Sequence, residues 1–215
     1  MKNLYIVTHA QSQHHIDRVV GGWFDSPLTE LGRRQAETIA QRIREFVPEG
    51  AAVEVHSSDL KRAHGTADAI SAALGVPVRT TPDLREMSQG EAEGQPQAWL
   101  LERYVYPTPD EDRMDHTPGF HGAESRRQVA TRIYRAVEKI LVGDCEHQVI
   151  VTHGFALTFV VAAWIRMPFD AVGYLTVRST SGGITHLAED DVWRNRVIER
   201  LNDTSHLAEV EACAI

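Results

Sequence analysis

The chain has 215 residues, of which 42% are hydrophobic and 24% are charged. A chain of this length buries roughly 70% of its unfolded surface, so we expect a single domain that folds without disulfides. Its 22 basic and 30 acidic residues give a formal net charge of −8. This balance argues against nucleic-acid binding through phosphate neutralisation and against docking on an anionic membrane. An anionic ligand therefore needs positive charge that is local to a pocket.

The apolar segments indicate a soluble protein. The N-terminal stretch at residues 4–7 is too short for a secretory signal, and the most apolar run, residues 155–165, is too short to span a membrane. Cys145 and Cys213 form no metal-ligand spacing. We expect two free thiols in a cytoplasmic protein, and a disulfide between them stays open.

The first third of the chain alternates short strands with amphipathic helices. Three apolar strands are predicted, the last of them at a sheet edge because it contains a proline, at residues 4–7, 53–56 and 76–79. One helix is predicted from the N-cap Thr29 to Phe46. A second is predicted over residues 60–74, with Asp59 as its N-cap and Gly75 at its C-terminal end.

The pattern breaks between residues 83 and about 122, where proline, glycine and acidic residues are interleaved with aromatic ones. A loop this long within a compact domain is usually functional. We predict a small lid inserted into the domain, with one helix near residues 95–104.

Regular elements return after the lid. We predict a helix over 124–141, whose Arg126 and Arg127 face solvent, then a strand at 148–152 and a buried helix at 155–165. Two or three antiparallel strands complete the chain, at residues 173–178, 183–188 and 194–201. The order of elements predicts an α/β fold for residues 1–215, a three-layer sandwich with a mostly parallel central sheet flanked by helices.

Chemically active side chains follow three of the predicted strands. His9 and His153 each follow a Val-Thr pair, Arg62 lies within one helical turn of the second strand, and Glu86 opens the irregular segment. Ligands of parallel α/β sheets bind at the carboxyl ends of the strands, so we expect these four residues to share one pocket. Histidine can attack phosphorus, arginine binds phosphate oxygens in a bidentate manner, and a carboxylic acid can protonate a leaving group.

Four stretches of the sequence resemble the histidine phosphatase superfamily, which has the phosphoglycerate-mutase-like fold. Each stretch alone is a weak signal, but together they cover nearly the whole chain in the family's order. They are Thr8-His9-Ala10-Gln11-Ser12 with the later Gly22-Trp23-Phe24-Asp25-Ser26-Pro27-Leu28-Thr29, then Ser57-Ser58-Asp59-Leu60-Lys61-Arg62-Ala63, Leu84-Arg85-Glu86 and Val151-Thr152-His153-Gly154.

The resemblance implies a role for each strand-end residue. His9 corresponds to the nucleophile that becomes phosphorylated, and Arg62 and His153 to residues that bind the phosphoryl oxygens. Glu86 corresponds to the general acid for the leaving group and later the base for water. The family needs no metal, and we expect neither a metal nor a cofactor here.

The sequence departs from the family at the phosphate-binding positions. Thr8 replaces the first arginine of the Arg-His-Gly pattern, and His15 replaces the usual asparagine. A charge-assisted hydrogen bond contributes about 1.5–3 kcal/mol, so the missing arginine costs on the order of ten- to a hundred-fold in rate or binding. His15, His14 and Arg18 are candidates to restore the charge, and a protonated His15 would do so at mildly acidic pH. Thr8 either contacts phosphate through its hydroxyl or only fills space.

We predict a phosphomonoester hydrolase that acts through a phosphohistidine at His9 on a small phosphorylated metabolite. Two alternatives keep the fold: a phosphoglycerate-mutase-type phosphotransferase, and an altered member that binds an anionic ligand or partner. A third uses the histidines and glutamate on a non-phosphate substrate. The expected partner is a small-molecule phosphate ester, with no nucleic acid and no membrane, and a homodimer stays open.

Overall fold

The computed structural model describes residues 2–212 and contains one six-stranded sheet. Its strands are β1 Lys2–Thr8, β2 Val53–Ser57, β3 Val78–Thr80, β4 His147–Thr152, β5 Ile184–Glu189 and β6 Arg196–Asp203. They lie in the order β3-β2-β4-β1-β5-β6. The first four in this order run parallel, whereas β5 is antiparallel to β1 and β6 is antiparallel to β5.

Helices flank this sheet, and the predicted α/β class with a mostly parallel sheet is confirmed. The α-helices are α1 Gln13–Asp17, α2 Glu30–Phe46, α3 Lys61–Leu74, α4 Gln97–Arg103, α5 Arg126–Val142, α6 Ala156–Trp164 and α7 Ala208–Ala212. None of the helices in the described part of the chain is long and apolar enough to cross a membrane.

Both faces of the sheet are covered, and β1 shows how the sequence achieves this. Successive strand residues point to opposite faces, so a strand buried on both sides is apolar throughout. Leu4 and Ile6 belong to a core shared with α5 and α6. Tyr5 and Val7 belong to a core shared with α2 and α3. The carboxyl ends of β1, β2 and β4 therefore meet at one edge of a buried sheet.

Two predicted helix ends are confirmed and one N-cap is wrong. The Thr29 side chain accepts a hydrogen bond from the Gly32 N–H at 2.9 Å, and Gly75 ends α3 in the left-handed region with φ 71°. Asp59 does not cap α3, which begins one residue later than predicted, at Lys61, without a side-chain cap. The Asp59 carboxylate instead accepts two hydrogen bonds from the Arg85 guanidinium, of 2.7 and 2.6 Å.

The predicted strand at 173–178 is also wrong. A 3-10 helix, Phe169–Tyr174, occupies its first part, and the residues that follow it join no strand. Cys145 is a partly buried thiol, whereas Cys213 lies outside the described residues.

The irregular segment at 83–122 contains α4 and two 3-10 turns. A small apolar core of its own holds it together, formed by Val20, Ala92, Leu100 and Phe120 with partly buried Trp99 and Tyr104. Val20 attaches this segment to the loop after α1, since its N–H donates to Gln95 and its carbonyl accepts from Gly94. The segment therefore covers the same edge of the sheet as the loop that follows β1.

The start of α2 packs directly on the loop that carries His9. A methyl group on Gly32 would lie 1.9 Å from the Gln11 carbonyl oxygen, which is backbone and has little freedom to move. Gly65, in α3, is a matched case because a methyl there would meet only the flexible Leu28 side chain, at 3.3 Å.

We predict that Gly32→Ala lowers the free energy of unfolding by about 1–3 kcal/mol, the usual cost of overpacking. Gly65→Ala should stay within about 1 kcal/mol of the wild type, because alanine favours a helix over glycine. Urea denaturation of both variants measures the difference. Equal stability of the two variants would contradict the close contact between α2 and the His9 loop.

Candidate functional site

A cavity of about 530 Å³ opens at the carboxyl edge of the sheet, beneath the irregular segment. Its walls contain five of the six predicted site residues, namely Thr8, His9, His15, Arg62 and Glu86. The sixth, His153, is buried beside His9, with the two ring centroids 5.1 Å apart. The topology thus brings all six residues to one place.

The imidazole of His9 is fixed in one tautomer. Its Nδ1 lies 2.8 Å from the Ala10 carbonyl, which only accepts hydrogen bonds, so Nδ1 carries the hydrogen. Nε2 then holds the lone pair and accepts a hydrogen bond of 3.2 Å from Arg62 Nε. Burial and the nearby Arg62 charge hold the pKa of His9 well below its usual value. A neutral ring with a free electron pair on Nε2 is the form that attacks phosphorus.

Arg62 reaches this position from the first turn of α3 and is almost fully buried. Its two terminal nitrogens donate to the carbonyls of Phe24, at 2.8 Å, and Gly22, at 2.7 Å. Carbonyl partners orient the guanidinium without neutralising it. Its charge therefore remains available to an anion in the cavity.

His153 is buried beside His9 and is not part of the cavity wall. Its Nε2 is 2.8 Å from the Ser58 hydroxyl, and its buried Nδ1 has no partner among the described residues. Burial first, and then the Arg62 charge, lower the pKa of His153.

Glu86 is held at the N-terminus of α6. One carboxylate oxygen accepts from the N–H groups of Met87 and Ala156, at 2.9 and 3.0 Å, and the other accepts from Phe155 at 2.9 Å. These donors fix the orientation of the carboxylate, and Glu86 lines the wall of the cavity.

Arg132, a residue that the sequence analysis missed, holds the segment that carries Glu86. Its guanidinium donates to the carbonyls of Asp83, Arg85 and Glu86 and forms two 2.8 Å hydrogen bonds with the Glu124 carboxylate. No local signal marks this arginine, because its partners lie 8 to 49 residues away along the chain.

The two positions that depart from the family pattern both face the cavity. The Thr8 hydroxyl is buried and has no hydrogen-bond partner within residues 2–212. The His15 ring stacks on that of His9, with centroids 5.7 Å apart and planes inclined by 17°. Burial and the Arg62 charge lower the pKa of His15, so the imidazole is neutral at neutral pH in the absence of a ligand.

The other two candidates to replace the missing arginine do not supply a charge. His14 is buried, with Nδ1 2.7 Å from the Ser26 hydroxyl and 3.0 Å from that of Ser12. Burial, with His15 and Arg62 nearby, lowers the pKa of His14 to about 3. Arg18 is exposed and is not part of the cavity wall.

The prediction that both arginines at the start of α5 face solvent is wrong for Arg126. Arg126 is partly buried and lines the cavity together with Tyr104 and His116. Arg127 points elsewhere and forms surface ion pairs with three aspartates, Asp112, Asp115 and Asp170.

Comparison with known proteins identifies the family. Residues 4–204 match the family model of the histidine phosphatase superfamily (branch 1). The chain belongs to the histidine phosphatase superfamily. A relative from Yersinia pestis, named "Probable phosphoglycerate mutase GpmB", is 32% identical over 217 residues, which cover 96% of this chain and 95% of the relative.

Solved structures agree with the superfamily assignment. A mycobacterial glucosyl-3-phosphoglycerate phosphatase, solved with VO3, has a TM-score of 0.76 and 25% identity, covering 95% of this chain and all of its own. The α-ribazole phosphatase from Shigella flexneri has a TM-score of 0.73 over 94% of this chain and 96% of its own. Its identity of 21% shows a shared fold only.

The buried histidines of this superfamily member predict a loss of stability in acid. His9, His14 and His153 have lowered pKa values in the folded state, so the unfolded chain binds more protons. The free energy of unfolding should therefore fall below about pH 6.5, by about 1.4 kcal/mol per pH unit for each histidine, until each folded-state pKa is reached.

Urea denaturation at several pH values measures this slope. The free energy of unfolding of His14→Gln should fall less steeply with decreasing pH than that of the wild type. The difference in slope should be about 1.4 kcal/mol per pH unit, the contribution of one histidine. Replacing the exposed His121 with glutamine is the matched control and should keep the wild-type slope. An unchanged slope in His14→Gln would contradict the buried, neutral state of His14.

Proposed function

We propose that the protein hydrolyses a small phosphomonoester through a phosphohistidine at His9. The observation that carries this proposal is the His9 imidazole, held neutral with its Nε2 lone pair beside an unneutralised arginine. The phosphatases among its structural neighbours support the reaction class.

The first step forms a bond from His9 Nε2 to phosphorus while the bond from phosphorus to the leaving oxygen breaks. Glu86, having taken up a proton, gives it to that oxygen. In the second step Glu86 takes a proton from water, the water oxygen attacks phosphorus, and the bond to Nε2 breaks. Phosphate leaves, and His9 and Glu86 return to their starting states.

The phosphoryl charge is bound by a smaller set of donors than the family pattern provides. Arg62 supplies the fixed charge, and its Nε–H shifts from His9 to a phosphoryl oxygen when the nitrogen attacks. In this proposal Thr8 donates its unpartnered hydroxyl, and His15 donates from its ring. In this proposal His153, buried beside His9, binds the phosphoryl oxygens with His15 and Arg62.

A phosphoglycerate-mutase-type phosphotransferase is the second candidate, and the 32% identity to GpmB favours it. The two activities differ in the fate of the phosphoryl group. A hydrolase releases inorganic phosphate from 3-phosphoglycerate, whereas a mutase returns the 2-phosphate isomer.

We predict that His9→Ala lowers kcat/KM for an aryl phosphate by roughly 10³-fold or more, because no other group replaces the nucleophile. His121→Ala, which removes an exposed histidine outside the cavity wall, should keep wild-type activity. Phosphate release measures both, with vanadate as an inhibitor of the wild type. Full activity in His9→Ala would refute the phosphohistidine route, and inactivity combined with no vanadate binding in the wild type would refute the phosphatase assignment.

We predict that Thr8→Val lowers kcat/KM by about ten- to a hundred-fold, because it removes a hydrogen bond to a charged group. Thr8→Ser keeps the hydroxyl and should keep most of the activity. Steady-state kinetics on the same aryl phosphate measures both variants. If Thr8 only fills space, Thr8→Val and the wild type will be equally active.

We predict that kcat/KM of the wild type increases as pH falls from about 8 to about 5, because His15 gains its charge below the usual histidine range. In His15→Asn, kcat/KM should lack the part of this increase that the His15 charge produces. Comparing the two profiles on one substrate removes the ionisation of the substrate from the result. Profiles of identical shape would show that His15 supplies no charge.

A further inference from the structure

Two arginines of the described chain stand apart from the rest. The other arginines that are at least partly buried each pair with a carboxylate, namely Arg42 with Glu45, Arg85 with Asp59, Arg127 with Asp112, Arg132 with Glu124 and Arg196 with Glu189. Within residues 2–212, Arg62 and Arg126 form no ion pair with a carboxylate, although Glu86 is near enough to raise the pKa of Arg62, and both arginines line the same cavity. The chain has 30 acidic residues that could pair with them, so two arginines that are buried or partly buried without an ion pair indicate a binding site for an anionic ligand.

The guanidinium of Arg126 is held in place but only partly used. It lies over the Phe155 ring, 5.0 Å from the centroid, and one terminal nitrogen makes long contacts of 3.4 and 3.3 Å with the carbonyls of Gly173 and Leu175. Its other two nitrogens donate to no group within residues 2–212. An arginine with free planar donors is suited to a bidentate contact with a carboxylate or phosphate.

Polar side chains surround Arg126 in the cavity wall. Burial lowers the pKa of Arg126, while the nearby Tyr104 raises it and Arg113 lowers it. His116 also lines the cavity, with Nδ1 3.2 Å from a Glu111 oxygen and a buried Nε2 that has no partner in the described chain. Tyr104 lies near Arg126 and contributes a hydroxyl to the same wall.

We infer that Arg126, with Tyr104 and His116, binds a second anionic group of the substrate, a carboxylate or a second phosphate, while the scissile phosphate binds at Arg62. This inference rests on the proposed function and names the class of its substrate: a phosphomonoester that is also an acid. Arg126 belongs to the helix that follows the irregular segment, whereas Tyr104 and His116 belong to that segment itself. An anion bound by these three residues therefore contacts both the lid and the domain beneath it.

Binding of three phosphonates that cannot turn over tests the inference. Propylphosphonate has a neutral tail, 3-phosphonopropionate has a carboxylate, and propane-1,3-diphosphonate has a second phosphonate. Isothermal titration should show that the wild type binds at least one of the doubly anionic compounds about ten- to a hundred-fold more tightly than propylphosphonate. The tighter of the two identifies the second anion.

Arg126→Gln should abolish this preference and leave the affinity for propylphosphonate within about two-fold, and Arg126→Lys should keep part of it. Arg178→Gln removes an equal charge from an exposed position outside the cavity wall and should keep the preference in full. Equal binding of all three compounds by the wild type, or a preference that survives Arg126→Gln, would overturn the inference.

The outcome separates the inference from the proposed function. A wild type that hydrolyses aryl phosphate but shows no preference among the phosphonates refutes the second anion site alone. A wild type that shows the preference and loses it in Arg126→Gln, yet releases phosphate from no ester, supports the site and refutes the hydrolase.

Discussion

The hydrogen bond from Arg62 Nε to His9 Nε2 is the interaction on which the rest of the site depends. It requires a neutral, correctly oriented imidazole, which the Ala10 carbonyl selects. It also requires a buried guanidinium, which the carbonyls of Phe24 and Gly22 hold without removing its charge. Burial of two charged groups would be costly, whereas burial of one arginine beside a neutral histidine leaves a single cation that an incoming phosphoryl group can match.

The proposed phosphate site has one fixed charge where the family pattern has two, and its neighbours compensate only in part. His14 is committed to two serine hydroxyls and stays neutral. Thr8 contributes a dipole rather than a charge, and His15 becomes a cation only in acid or beside a bound anion. A second cation, Arg126, is present at the lid side of the same cavity. With the proposed second anion site, affinity would be shared between the scissile phosphate and a distant anionic group, which would favour substrates that carry both.

The sequence allowed prediction of the sheet and of the residues at its carboxyl edge. His9 directly follows β1, and Arg62 lies in the first turn of the helix after β2, so the topology of a parallel sheet brings them together whatever the loops do. The residues that sequence reasoning missed depend on contacts distant along the chain. The position of Asp59 in the sequence indicates a helix cap, but its carboxylate binds Arg85 instead. Arg132 and Arg126 occupy ordinary helical positions, and their partners are too distant in sequence to be recognised locally.

In the proposed reaction, His9 rather than a neighbouring histidine carries the phosphoryl group. The most direct measurement is to mix the enzyme with an aryl phosphate, quench it in base to preserve phosphohistidine, and map the modified peptide by mass spectrometry. The account predicts phosphorylation within the peptide that contains His9 and its absence in His9→Ala. Phosphorylation of His153, or turnover of the ester with no phosphoenzyme at any time, would contradict it.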